Sequence, residues 1–150
     1  MHKILKISVV LGLGVVAYMF GAQEALAGRF YFIAPSEIKR GDNFNLQATI
    51  STQNFINAIE GEIHFNANSL RMNSVSTGSS VIPVWIEPPQ LISNGIIRFS
   101  GIIPGGIGPT ITSEFKIFNI EFVGLESGQT EIYFKNYGTE LTRGILTIIF

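Results

Sequence analysis

Cysteine is absent from the 150 residues. That excludes disulfides, zinc–thiolate centres, thiol nucleophiles and a lipid carried on an N-terminal cysteine. Aspartate occurs once, as Asp42, and a calcium loop of the EF-hand type needs several acidic residues at alternate positions. Charge of either sign is scarce. Charged residues make up 14%, and ten Lys plus Arg face eleven Asp plus Glu. Nucleic acid is not an expected partner, because phosphate binding needs clustered Lys and Arg. Histidine is present only as His2 and His64, and tryptophan only as Trp85. What is abundant is apolar: 46% hydrophobic residues, twelve Phe and 16 Gly, which is no disordered composition. The length is that of one domain.

The N-terminus reads as an export signal. His2, Lys3 and Lys6 precede an almost wholly apolar run from Ile7 to Phe20, and Ala25-Leu26-Ala27 is the small-x-small pattern of a signal peptidase site. Cleavage between Ala27 and Gly28 is expected, which makes the protein secreted or cell-surface. The apolar run is short for a bilayer about 30 Å thick, so an uncleaved segment is the lesser reading and the one route to a membrane. The folded domain is then 28–150, near neutral and large enough for a core without staples.

Period two dominates that domain. Phe44, Leu46, Ala48 and Ile50 alternate with polar residues, as do Ile59, Ile63 and Phe65. Ile97 and Phe99, then Phe118, Ile120 and Phe122, then Ile132 and Phe134 repeat the pattern. Each predicts a strand with one buried and one wet face. Residues 30–34, 71–76, 84–87 and 144–150 read as less regular strands. Turn clusters at 39–42, 66–69, 77–80, 93–95, 105–109 and 126–128 separate them. No helical repeat of useful length occurs after residue 27. About nine short strands predict an all-β, two-sheet sandwich or jelly roll. Phe99 and Phe122 are expected to face each other across its core.

Catalytic chemistry finds little to work with. A Ser-His-Asp triad would have to use His64 and Asp42 together, without a nucleophile-elbow motif. Glu60 and Glu62 are side by side on one strand face, whereas glycosidase carboxylates flank a sugar from opposite sides. They read as a solvated acidic face, and His64 as a solvated or partner-facing side chain. One His and scattered Glu provide no metal-ligand spacing. The Gly-rich stretch 102–109 follows a strand but carries no Lys and opens no helix, so it reads as a loop rather than a phosphate cradle. Trp85 is either core or an aromatic contact for a ligand. The protein is not expected to be an enzyme, and no cofactor is implied.

Five stretches in order resemble the bacterial cohesin domain, the receptor module for dockerins. These are Arg40-Gly41-Asp42-Asn43-Phe44-Asn45-Leu46, the long stretch from Ile56 to Leu70, Val75-Ser76-Thr77-Gly78-Ser79, Asn94-Gly95 to Gly101, and Ile117 to Gly124 with Ser127-Gly128-Gln129-Thr130. Two departures stand out: Asn66-Ala67 where the family usually has Asp-Pro, and Thr142-Arg143-Gly144 where it often has Asn-Asp-Gly. Asn serves a turn as well as Asp. Both changes remove carboxylates, so the calcium that some relatives carry is not expected here.

The resemblance implies a nine-stranded flattened jelly roll, non-catalytic, docking a dockerin-like protein in extracellular or surface polysaccharide-degrading assemblies. In relatives the dockerin docks on the sheet of strands three, five, six and eight. Carried over by alternation, the outward positions are Glu60, Glu62 and His64 on the third strand, Arg98 and Ser100 on the sixth, and Glu131, Tyr133 and Lys135 on the eighth. Two other functions fit the same sandwich. One is a carbohydrate-binding module with a polysaccharide ligand, for which Tyr133 and Trp85 would be the aromatics. The other is a structural surface or appendage subunit joined by strand addition, with 146–150 as a candidate edge.

Overall fold

The computed structural model describes residues 29–109, 114–135 and 145–149. The signal segment with its Ala27–Gly28 junction, and Thr142-Arg143-Gly144, lie outside the described residues. Nine strands follow in order: β1 Arg29–Ile33, β2 Asn43–Ser51, β3 Ile56–Phe65, β4 Leu70–Ser76, β5 Val84–Ser93, β6 Ile96–Ile107, β7 Glu114–Gly124, β8 Gln129–Lys135 and β9 Ile145–Ile149. They form two antiparallel sheets, one ordered β1-β2-β7-β4 and the other β5-β6-β3-β8-β9.

Alternation sets which side chains are buried. On β8 the apolar Ile132 and Phe134 are buried while Glu131, Tyr133 and Lys135 are exposed. On β3 the inward set is Ile59, Gly61, Ile63 and Phe65. On β7 two consecutive residues, Ile117 and Phe118, are both buried, which simple alternation forbids. A bulge explains this: Ala48 pairs with Phe118 and Thr49 with Lys116, so Ile117 is the extra residue.

Aromatic rings join the sheets. Phe99 of β6 meets Phe118 of β7 edge to face at 5.0 Å, and Phe65 of β3 meets Phe122 of β7 the same way at 5.0 Å. Phe30 of β1 stacks on Phe134 of β8 at 4.7 Å. Phe99 and Phe122 are thus both core residues from opposite sheets, but they do not face each other. Phe118, two alternations earlier on β7, takes the place opposite Phe99.

Two strands run further than composition indicated. β5 continues through Pro88-Pro89 to Ser93, which is possible because it is an edge strand whose free side needs no donors. Its ladder is broken by three register shifts, between Trp85/Glu87, Glu87/Gln90 and Leu91/Ser93. β6 continues to Ile107, so most of the Gly-rich stretch is strand and not loop. Gly105 and Gly106 bend it, with φ of +82° and +69°.

The turns follow their sequences. Asp42 Oδ2 accepts from Lys39 N at 3.1 Å, closing the turn before β2. Asn66 Oδ1 accepts from Asn68 N at 2.9 Å, and the Asn66 carbonyl accepts from Ser69 N and Leu70 N. Asn66 therefore does locally what an Asp would do.

Candidate binding face

The outer face of the five-stranded sheet collects the sequence-predicted site residues in rows. Glu62 of β3 sits between Arg98 of β6 and Lys135 of β8. His64 sits between Ile96 and Tyr133 in the next row, and Glu60 pairs with Ser100 in the row on the other side. Glu131 continues along β8, opposite Thr147 of β9. All eight residues lie on β3, β6 and β8, which are adjacent in the sheet.

The centre of the face is an ion-pair node. Arg98 Nη2 and Nε donate to Glu62 Oε1 at 2.9 and 3.2 Å, and His64 Nε2 donates to Oε2 at 2.8 Å. Glu62 is 3% exposed. It points outward as expected but is roofed by its neighbours, which corrects its reading as a solvated carboxylate. His64 is likewise only partly exposed: its ring stacks on Tyr133 at 5.2 Å and 20°. The node satisfies both carboxylate oxygens with charge-assisted bonds, the condition under which a carboxylate tolerates burial. Tyr133 is outward and 38% exposed, while Glu60, Glu131 and Lys135 are exposed.

Trp85 lies elsewhere. It is half-buried, packs against the core and meets Phe118 edge to face at 6.2 Å, so it is a core residue and not a surface contact. Among the described residues no group of three or more His, Cys, Asp and Glu could hold a metal ion.

Sequence reasoning passed over the apolar end of this face. Phe55, between β2 and β3, is 76% exposed. Its ring lies over Gly106 and Gly108, where an added Cβ would come within 2.8 and 2.6 Å of ring carbons. Thr52 braces the loop: its hydroxyl donates to Asn54 O at 2.6 Å and accepts from Asn54 N at 3.0 Å. Ile107, between the two glycines, packs toward the core, and the Phe55 ring covers the glycines on either side of it. Ile102 and Val84 pair nearby, 41% and 44% exposed. The signal was present in the spacing of the glycines, which reads as loop composition until the ring above them is known.

No family model matches the chain, and no curated protein matches it. Solved structures do. A cohesin module from a Clostridium perfringens family 33 glycoside hydrolase aligns with a TM-score of 0.64 at 12% identity, covering 83% of this chain and 97% of that one. The chain has the cohesin fold. A non-cellulosomal cohesin from the hyperthermophilic archaeon Archaeoglobus fulgidus aligns at 0.56 and 16% identity, covering 81% and 91%. The cohesin of the Coh-OlpA–Doc918 type I cohesin–dockerin complex from Clostridium thermocellum aligns at 0.56 and 15%, covering 81% and 99%. The sheet pattern described above is thus shared with cohesins over four-fifths of the chain, at identities where only the fold carries across.

Proposed function

We propose that this chain is an exported, non-catalytic binding module whose outer five-stranded face docks a dockerin-type protein. The observation that carries the reading is the Glu62 node in the middle of that face. A carboxylate desolvated on an otherwise open sheet surface fixes Arg98 and, through His64, Tyr133. Arg and Tyr are the residue types on which interface energy concentrates, and fixing them beforehand lowers the entropy lost on binding. Around the node, Glu60, Glu131 and Lys135 form a charged rim of both signs, and Phe55, Ile102 and Val84 provide an apolar end. A polar rim with buried aromatic anchors is the composition of a protein interface.

Two further observations support it. Structures sharing the fold include cohesins in complex with dockerins from Clostridium thermocellum and Acetivibrio cellulolyticus. The basic start, apolar run and Ala25-Leu26-Ala27 of the N-terminus suit a protein that works outside the cytoplasm.

The experiment begins by retaining exported proteins of the source organism on the immobilised protein. Each retained protein is then purified and titrated by calorimetry against wild type and Tyr133→Ala. A dockerin-type protein that binds wild type and loses about 2 kcal/mol with Tyr133→Ala, close to thirtyfold, supports the reading. Equal binding of every purified candidate to both forms would count against it.

A further inference from the structure

One end of the outer face is concave. The turn after β3, the β5–β6 turn and the start of β8 enclose a groove of about 620 Å³. Asn66, Asn94, Gln129, Glu131, His64 and Tyr133 supply its polar and aromatic lining. We propose that this groove binds a neutral oligosaccharide, a second ligand distinct from the docked protein.

The lining chemistry selects the class. Among the described residues no Lys or Arg lines the groove, so a phosphate, sulfate or uronate meets no permanent cation there. Among the described lining residues the permanent charge is the Glu131 carboxylate, an acceptor. Its apolar lining, Phe65, Ile96 and the rings, is shared with amides that an acyl chain would leave unpaired. Three side-chain amides both donate and accept, and a carboxylate accepts. The ligand that matches them is one whose groups also donate and accept at close spacing: a polyhydroxylated ring. Tyr133 adds a flat surface for the C–H face of such a ring, held in place by His64 behind it at 5.2 Å. The volume lies within the usual range for small-ligand sites.

The groove is also rigid where it matters. Phe65 N donates to Gly95 O at 2.9 Å, and Gly95 has φ of +84°. A Cβ at Gly95 would strike the Phe65 carbonyl, so the turn can press against β3 only with glycine there. That closeness fixes Asn94 on one rim. Beside it Asn66 is fixed by its bonds to Asn68, Ser69 and Leu70, with its Nδ2 donors uncommitted by those bonds. Polar groups already in place cost little ordering entropy on binding.

The test is a titration of the ¹⁵N-labelled protein, followed by backbone amide shifts. The probes are cellotetraose, xylotetraose, mannotetraose and tetra-N-acetylchitotetraose, with tetragalacturonate as the acidic control. At least one neutral sugar is expected to give saturable shifts at Asn94, Gly95, Glu131 and Tyr133, and the galacturonate none. Asn94→Ala and Gln129→Ala should each weaken that sugar at least fivefold, with the remaining spectrum unchanged. Neither residue belongs to the protein-docking rows, so failure here leaves that reading intact. The inference is overturned if no neutral sugar shifts these amides, if the galacturonate binds as well, or if both variants bind like wild type. It is also overturned if Asn94→Ala weakens a protein partner while no sugar binds.

Discussion

Replacing Arg98 with Leu isolates the Glu62 node. Arg98 makes two charge-assisted bonds to Glu62 Oε1, at 2.9 and 3.2 Å, and its removal takes both from a carboxylate that is 3% exposed. Breaking a fully buried pair from one side costs about 3–5 kcal/mol. The Arg98 side chain is 47% exposed, however, so water admitted to the gap recovers part of that. The expected loss is about 2 kcal/mol. Urea unfolding followed by tryptophan fluorescence should show a lower midpoint with an unchanged m-value. Arg98→Lys, which restores charge but not the paired geometry, should fall between the two. In a Glu62→Gln background the Arg98→Leu cost should shrink, because a neutral amide is less costly to leave half-paired. A loss under about 0.5 kcal/mol in Arg98→Leu, the level of an ordinary surface site, would refute the node as a structural unit.

Three other outcomes follow from the same packing. Phe99→Ala and Phe118→Ala should each cost about 3–5 kcal/mol and be non-additive in the double variant, whereas Phe99→Ala with Phe122→Ala should add closely in urea melts. Gly95→Ala combines a left-handed backbone with a clash on the Phe65 carbonyl and should lower stability by about 2 kcal/mol or more by the same assay. Thr130 is buried with a hydroxyl that finds no partner among the described residues, so Thr130→Val should leave stability unchanged or raise it by about 1 kcal/mol in thermal unfolding.

Much of the architecture is legible in the sequence because period two and turn chemistry are local signals. Ile132 and Phe134 against Glu131, Tyr133 and Lys135 need no tertiary knowledge to be assigned to two faces. The features that escaped depend on what lies across a strand or above it. Glu62 has the pattern of a wet residue, and only the register that sets it beside Arg98, with His64 two positions along β3, shows it roofed. Gly105, Gly106 and Gly108 have loop composition, yet Gly105 and Gly106 lie within β6 and Gly106 and Gly108 seat Phe55, a contact between separate segments. Trp85 could be assigned to the core only once Phe118 was known to lie beneath it. Phe118 and Phe122 share the inward face of β7, and which of them meets Phe99 depends on how the two sheets are set against each other, not on strand period.

Cross-saturation NMR of the labelled protein with its purified partner decides whether the outer five-stranded face is the docking surface. Docking there should transfer saturation to Arg98, Tyr133, Lys135 and their neighbours on β3, β6 and β8. Transfer concentrated on the outward residues of β1, β2, β7 and β4, with the five-stranded face untouched, would contradict it.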